Sequence, residues 1–471
     1  MQIEIKEKEQ EIFNLLSESA KELGFPTYII GGYVRDRLLQ RPSQDMDIVC
    51  VGSGIELAEK LATKLHPKPK VVVFKRFGTA MLHFKDLELE FVGARKESYR
   101  QDSRKPIVEN GTLEDDQNRR DFTINALAIS LNEDSYATLV DPFGGVKHLE
   151  EKRILTPLDP NVTFSDDPLR MLRAIRFATQ LNFTIDEVTL KAISDQKERI
   201  QIISQERITT ELQKIMATDT PSIGYKLLFD TGLLKLIFPA LAEMHGVDYK
   251  NGQGHKDNFY HTLQVLDNIA KVSDNIWLRW VAVLHDIAKP LTKRFVTGQG
   301  WTFHGHEALG ARFVPKFFRK MKLPMGNEMK YVQKLVGLHQ RPVVLTKEEI
   351  TDSALRRLMF EAGEDIDDLL LFCGADSTSK FQWKLDKYAK NLKVLTSKIT
   401  ELEENDRLKN WQPPISGEVI METFNLGPCR EVGQIKNSIR EAILDGDIQN
   451  DYQEAFDFML KKAKELGVER E

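Results

Sequence analysis

The pattern of apolar positions along this chain changes near residue 150. Before it, short β-rich runs bounded by turn residues follow one another: "TYII", "DIVCV", "VVVF", "TAMLHF", "LELEFVGA" and "INALAIS". Runs of this kind predict strands, and with the helical stretches between them they predict an α/β sheet unit. Asp141-Pro142 and Gly144-Gly145 mark turns at its end. From about Asp166 onward the apolar residues fall at i, i+3, i+4 and i+7, in "LRMLRAIRFATQL", "ERITTELQKIM", "HTLQVLDNIAKV" and "LRWVAVLHDIAK". That is the stripe of an amphipathic helix, so the remainder reads as all-α. Gly- and Asn-rich "VDYKNGQGHKDN" marks a boundary near 250, and the proline pair in "NWQPPISGEV" another near 413. The pattern predicts an α/β head over 1–150, a helical neck over 151–248, a third unit over 249–385 and a helical tail over 386–471. The first residues, "MQIEIKEKEQEIFNLL", read as an amphipathic helix and not as a secretion signal.

Composition narrows the class. A chain of 471 residues exceeds a single core. No apolar run approaches the ~20 residues that span a bilayer, so no membrane partner is expected. Cys50, Cys373 and Cys429 lie far apart and match no metal spacing, which points to a reducing compartment, the cytoplasm. The net charge of -5 argues against a nucleic-acid partner, but its distribution does not. Ile287 to Lys347 holds 12 Lys or Arg against 2 Glu, with Lys316, Arg319, Lys320 and Lys322 in one amphipathic segment. Such a stretch follows a phosphate backbone, or it is a solvated helix face.

The first chemistry lies in Tyr28 to Gly52. Strand "TYII" runs into Gly31-Gly32 and then into the helix start "YVRDRLLQR". Glycines there permit a tight turn and let a phosphate approach main-chain N–H groups. No Gly-Lys-Ser/Thr follows, which excludes a P-loop, and the third glycine of a dinucleotide fingerprint is missing. Asp45-Met46-Asp47 comes next. On a strand, residues two apart share a face, so the two carboxylates repel each other unless a cation compensates. Oxygen ligands suit Mg²⁺, held by few carboxylates plus substrate phosphates. Two such ions roughly 4 Å apart would activate an attacking hydroxyl and steady a leaving pyrophosphate. Glu90 is the candidate third carboxylate, with Glu88 on the same strand face. A polar strand end with solvated aspartates is the alternative.

These residues resemble the nucleotidyltransferase superfamily core and, more narrowly, the bacterial class II CCA-adding enzymes and poly(A) polymerases. "NRRDFTINALAIS" (Asn118 to Ser130) is similar to that family's Arg-Arg-Asp motif, "DDPLRMLRAIRFA" (Asp166 to Ala178) to its Glu-Asp-x-x-Arg segment, and "ERITTELQKIM" to the segment that follows. The resemblance implies that Gly32, Arg35 and Arg120 bind the triphosphate. It also implies that Asp167 and Arg170 read the base edge. A carboxylate accepts from an exocyclic amino group and a guanidinium donates to a ring acceptor, a pattern that C and A share and U and G reverse. With Arg173 and Arg176, these two residues are expected to form one gently spiralling polar stripe, matched by an apolar one of Leu169, Leu172 and Ile175. Arg173 and Arg176 would face triphosphate or support the pair. Asp121 and Asn125 order the motif or the sugar, or serve as a turn and helix cap. Asp166 departs from the family's Glu by one methylene. Glu97 to Gln117, polar and turn-rich, is expected to be a loop beside the site.

A second set sits on or beside predicted helices: His261, His285-Asp286, His306, His339 and Asp376. Adjacent His and Asp at the end of an apolar helix suit a metal site, and a lone buried His is the alternative for any one of them. In this order they resemble the ligands of the HD phosphohydrolase domain, with His304 and His255 as substitutes for His306 and His261. The resemblance implies an unidentified divalent metal and phosphatase or 2′,3′-cyclic phosphodiesterase activity. The expected function is addition of C and A to tRNA 3′ ends from CTP and ATP. Poly(A), CC-only or A-only addition shares every motif. A metal phosphohydrolase with an RNA-binding N-terminal half is the rival from another class.

Overall fold

The structure is a computed structural model that describes residues 1–100, 103–345, 351–379, 381–406 and 413–468. It divides into two compact units, Met1–Pro239 and Ala240–Glu471.

The first unit is built on a seven-stranded sheet. In chain order its strands are β1 (Thr27–Ile30), β2 (Asp45–Cys50), β3 (Val72–Phe74), β4 (Thr79–Phe84) and β5 (Leu87–Gly93). After a separate hairpin of β6 (Arg95–Arg100) and β7 (Ser103–Asn110) come β8 (Ala128–Ser130) and β9 (Leu139–Val140). The order across the sheet is β3-β4-β5-β2-β1-β8-β9, with β2 and β5 parallel and the other neighbours antiparallel. Met46, Ile48 and Cys50 alternate inward on β2 and are buried. The helix Gly54–Lys64 packs on β2, β4 and β5 through Leu57, Ala58 and Leu61. The other face carries Ile30, Val49, Ala94 and Ala128 in one cluster under Leu113. That cluster fills only part of the face, and the acidic end of β2 lies on the same side.

Three sequence expectations change. "INALAIS" is not one strand: Thr123–Asn125 turns as a short 3₁₀ helix before β8 begins. Glu97 to Gln117 is not a loop over its described length, because β6 and β7 pair as a hairpin and Leu113–Asn118 is a helix capped by Thr112. Residues 101–102 of that stretch lie outside the described residues. The first helix starts only at Glu7.

The rest of this unit is helical from Pro160 to Ile237, apart from Thr184–Ile185, which pairs in a two-residue parallel ladder with Arg153–Ile154. The second unit is helical throughout, save two small hairpins at Tyr249–Gly254 and Arg294–Thr302. Its core gathers Phe259, Trp280, Phe317, Phe318 and Phe372 from four helices. No helix among the described residues is long and apolar enough to cross a membrane.

Candidate functional site

The parallel pairing of β2 with β5 sets Asp45 opposite Glu88 and Asp47 opposite Glu90. Partners in register on neighbouring strands share a face, so four carboxylates project from one patch of sheet. Burial raises the Asp47 carboxyl; Arg120 lowers it, while Asp45 and Asp116 raise it further. Partial burial, then Asp47 and Glu88, raise Glu90 in the same way. Like charges about 4 Å apart repel by roughly 1 to 4 kcal/mol near a protein surface. An all-oxygen donor set under this repulsion fits a hard divalent cation.

Gly31 brings cationic groups to that patch. It has φ +86°, and a Cβ there would lie 2.9 Å from Asp47 Oδ2 and 3.0 Å from Arg120 Nη1. Only glycine lets backbone, carboxylate and guanidinium meet so closely. Gly32 opens the helix Gly32–Leu38. Arg120 donates to Asp116 Oδ2 at 3.1 Å, and Arg119 Nε donates to Asp116 Oδ1 at 3.0 Å. Asp116 is fully buried and so holds both arginines. Neighbouring Arg35 is buried and donates to Asn125 Oδ1 at 2.7 Å, Asn125 donates to Asp121 Oδ1 at 3.0 Å, and Arg173 Nε donates to Asp121 Oδ2 at 2.7 Å. Burial alone would raise the Asp121 carboxyl, but Arg173, Asn125 and Arg170 outweigh it and hold it down to about 2. The guanidiniums of Arg35, Arg173 and Arg176 surround the Phe177 ring at 4.9, 5.4 and 4.2 Å from its centroid. Arg176 is committed to an ion pair with buried Glu211 at 2.8 Å, and a third of the Arg173 side chain stays open.

The polar stripe expected from Asp167 to Arg176 starts later than its spacing suggests. Asp167 stands between the helices Pro160–Asp166 and Leu169–Leu181 in an extended conformation, φ −132° and ψ 99°. Pro168 is the reason, because a proline drives the residue before it out of the helical region. Asp167 Oδ1 accepts from Leu169 N at 3.2 Å, and Arg207 Nη2 lies 3.8 Å from Oδ2. Arg170 does lie on the helix, buried, and donates to the carbonyls of Arg119 and Thr163. That contact ties the base-edge candidate to the Arg119-Arg120 segment.

In the second unit, His261, His285, Asp286, His306, His339 and Asp376 converge from separate helices and helix ends. Two ligand groups form, His261-His285-Asp286 and Asp286-His306-His339. Asp376 Oδ1 lies 3.0 Å from His261 Nε2 and 3.4 Å from His285 Nε2. The tautomers follow from local structure. Nδ1 of His285, His306 and His339 faces the carbonyl oxygen three residues earlier, of Ala282, Phe303 and Val336, at 2.8, 2.8 and 2.7 Å. A carbonyl only accepts, so Nδ1 carries the proton and the neutral ring offers its Nε2 lone pair to the centre. His306 Nε2 and His339 Nε2 then face each other at 3.2 Å, lone pair against lone pair. Asp286 Oδ1, Asp376 Oδ1 and His285 Nε2 are buried without a hydrogen-bond partner, while Asp286 Oδ2 is met by the Lys289 ammonium. Buried orphan acceptors are costly, and a metal ion satisfies all of them at once; these residues fit one. Without it a proton takes that place. Burial pushes His285 down, but Asp286 and Asp376 carry it up to about 10, while burial and His285 push His339 down to about 4. His304 is exposed and His255 pairs with Asp248, so neither belongs to the groups found.

Several contacting residues had weak sequence signals. Asp116 lies four before Arg120, a helical ion-pair spacing. Glu211, Arg207 and Phe177 sat inside matched segments without an assigned role. Lys256 reaches His261 Nδ1 at 2.9 Å and Lys289 reaches Asp286 at 2.6 Å. Lys316, Arg319, Lys320 and Lys322 are exposed on or just after one helix; Lys347 lies outside the described residues.

Known families match the segments that contain the two residue clusters. The Poly A polymerase head domain family matches residues 27–155, the "Probable RNA and SrmB- binding site of polymerase A" family 182–244, and the HD domain family 258–377. An A-adding tRNA nucleotidyltransferase of Deinococcus radiodurans is 31% identical over 365 residues, 75% of this chain and 80% of that protein. The chain belongs to the tRNA nucleotidyltransferase and poly(A) polymerase family. A Multifunctional CCA protein of Pseudomonas fluorescens is 35% identical over 66% of this chain and 73% of its own length. An A-adding family member of Aquifex aeolicus is 46% identical over 172 residues, and the chain spans 20% of that protein. A solved tRNA nucleotidyltransferase complexed with a primer tRNA and an incoming ATP analog superposes with TM-score 0.57 at 26% identity, over 81% of this chain and 98% of that one. A CCA-adding enzyme in an apo form superposes with TM-score 0.65 at 24% identity over 97% and 96% of the two chains. An α/β nucleotidyltransferase head followed by helical domains, one of them an HD domain, is thus the family architecture present here.

Proposed function

We propose that this protein adds C and A to tRNA 3′ ends without a template, from CTP and ATP, releasing pyrophosphate in the cytoplasm. The carboxylate ladder carries this reading: Asp45 and Asp47 on β2, with Glu90 in register on β5, beside the Gly31 turn and Arg120. Mg²⁺ held there by Asp45 and Asp47 would neutralise the carboxylates and polarise the α-phosphate and the attacking hydroxyl. Glu90 completes the acidic patch. Gly32, Arg35 and Arg120 hold the triphosphate, and the open part of Arg173 reaches it; Arg176 holds the ring of Phe177 and acts from behind. Charge growing on the phosphoryl oxygens is met by these fixed donors, which reorganise little during transfer. Asp167 and Arg170 read the base. Arg170 spends two of its five N–H donors on backbone carbonyls and keeps the others for a base edge. The test is incubation with a tRNA lacking CCA and each NTP separately. Incorporation of CTP, and of ATP once two C residues are present, supports the reading; use of UTP or GTP at equal rates contradicts it.

A second reading rests on a specific likeness. The Deinococcus protein, of which the chain spans 80%, is A-adding. Growth of a tRNA ending in CC with ATP, and no growth of one lacking CC with CTP, would select it. A long A tail would select poly(A) polymerase.

For residues 249–385 we propose hydrolysis of a phosphoester such as a terminal 2′,3′-cyclic phosphate, within the division into head 1–150, neck 151–248 and tail 386–471. The divalent metal bound by the His/Asp set would supply the activated nucleophile. Lys256 and Lys289 border the set and offer positive charge to a phosphate. Release of the cyclic phosphate, with divalent metals supplied one at a time, tests it; no release with any of them contradicts it.

A further inference from the structure

The segment that leaves the HD ligand set turns outward with unusual chemistry. Asp376 ends the helix Ile366–Asp376, and Thr378 Oγ1 lies 2.9 Å from His261 Nδ1. Three residues later Phe381 is 57% exposed, and Trp383, in the first turn of the helix Gln382–Asp406, is 62% exposed. Three residues of chain span at most about 11 Å, so the Phe381 backbone lies within that reach of Thr378, with Trp383 two residues further on. Large exposed aromatics are informative where isolated exposed aliphatics are not. Lys384 holds them together, its ammonium 5.1 Å from the Phe381 ring centroid and 5.4 Å from that of Trp383. The same helix carries Lys387, Lys390 and Lys393, all exposed, against one acid, Asp386, in this stretch. The four lysines, three apart, wind along about 13.5 Å of helix. Lys393 ends the track on the wall of a 660 Å³ groove with Ser377, Tyr388 and Ser397. This basic stripe occurs on a chain whose net charge is -5.

We infer that Phe381 and Trp383 form a stacking platform for the terminal nucleobase of single-stranded RNA at the HD site, with Lys384, Lys387, Lys390 and Lys393 following its backbone. This rests on the HD reading above. Stacking on aromatic faces and basic residues along the phosphates are the two elements of single-strand recognition, and the charge of the stripe selects RNA over an apolar protein surface. A base stacked here leaves its ribose phosphate beside Thr378 and the ligand set, which assigns the site to RNA ends in place of free small phosphoesters.

The experiment is photo-crosslinking of the full chain to a five-nucleotide RNA with 5-iodouridine as its last residue, mapped by mass spectrometry. The adduct is expected on Phe381 or Trp383. Phe381→Ala or Trp383→Ala should each lower its yield about tenfold, Lys384→Glu severalfold, and Trp383→Phe little, in variants whose melting matches the wild type. A duplex of the same length should compete poorly. Adducts only outside 381–393, unchanged yield in all three damaging variants, or equal competition by duplex would each overturn the platform. Crosslinking and hydrolysis are scored separately: a correct adduct without phosphate release leaves the platform standing and removes the hydrolase reading, and release without the adduct does the reverse.

Discussion

Asp47 faces Glu90 across the one parallel strand pair of the head sheet, and a Cβ at Gly31 would lie 2.9 Å from the Asp47 carboxylate. This relationship means that the site is set by strand register. A one-residue slip of β2 would turn both aspartates to the packed face.

Asp47→Ala should therefore remove chemistry without removing the fold. It deletes one member of a mutually repelling set, so the melting temperature should hold or rise. Nucleotide addition should fall by about 10³-fold or more. Primer extension beside a thermal melt checks both, and normal incorporation would refute the metal assignment.

Gly31→Ala tests the close approach. At φ +86° an alanine is strained by about 1–3 kcal/mol. Its Cβ would displace either Asp47 or Arg120, and a displacement near 1 Å costs about 10²-fold in rate. Extension kinetics should show the loss mainly in kcat, with a smaller drop in stability.

Arg170→Ala should relax base choice. A fixed donor to the base edge is worth about 1–3 kcal/mol of discrimination, so UTP and GTP should gain about tenfold or more relative to CTP and ATP. Competition assays with all four nucleotides measure the ratio. Unchanged selectivity would assign base reading to other residues, with Arg207 near Asp167 the first to test.

Asp121→Asn gives a signed pH dependence. The Asp121 carboxyl is held at about 2, below its ordinary 3.8, by Arg173, Asn125 and Arg170 despite burial. A depressed carboxylate contributes stability above its unfolded value and loses it as pH falls toward the folded value. The shift corresponds to about 2 kcal/mol. The variant should be less stable than wild type by about that amount at pH 7, and the gap should shrink between pH 4 and pH 2. Denaturant midpoints across pH check it.

The sequence revealed most where the physics is local. Short β-rich runs bounded by turn residues marked β1 to β5 because composition and turns are local signals, and Asp45-x-Asp47 showed its shared face because strand geometry alone sets it. Helical spacing alone puts Asp167 on the stripe, but Pro168 drives it into an extended conformation ahead of the helix. The β6–β7 hairpin was hidden by polar composition, since neither strand has the apolar alternation of a half-buried sheet. Asp116 shows only its i,i+4 spacing to Arg120, and nothing in their own stretches singles out Glu211 or Lys256. The six HD ligands span His261 to Asp376, and no spacing rule connects them. Only the resemblance grouped them, and only the fold shows their nitrogens and oxygens facing one centre.

The most direct measurement of the central claim is a nucleotide-resolution record of a tRNA ending before CCA, incubated with all four NTPs and Mg²⁺. It should be run with wild type, with Asp45→Ala and Asp47→Ala together, and with His285→Ala and Asp286→Ala together. The account predicts that wild type adds C, C and A and then stops, that the head double variant adds nothing, and that the HD double variant extends like wild type. Extension by the head variant, or loss of extension in the HD variant, would contradict it.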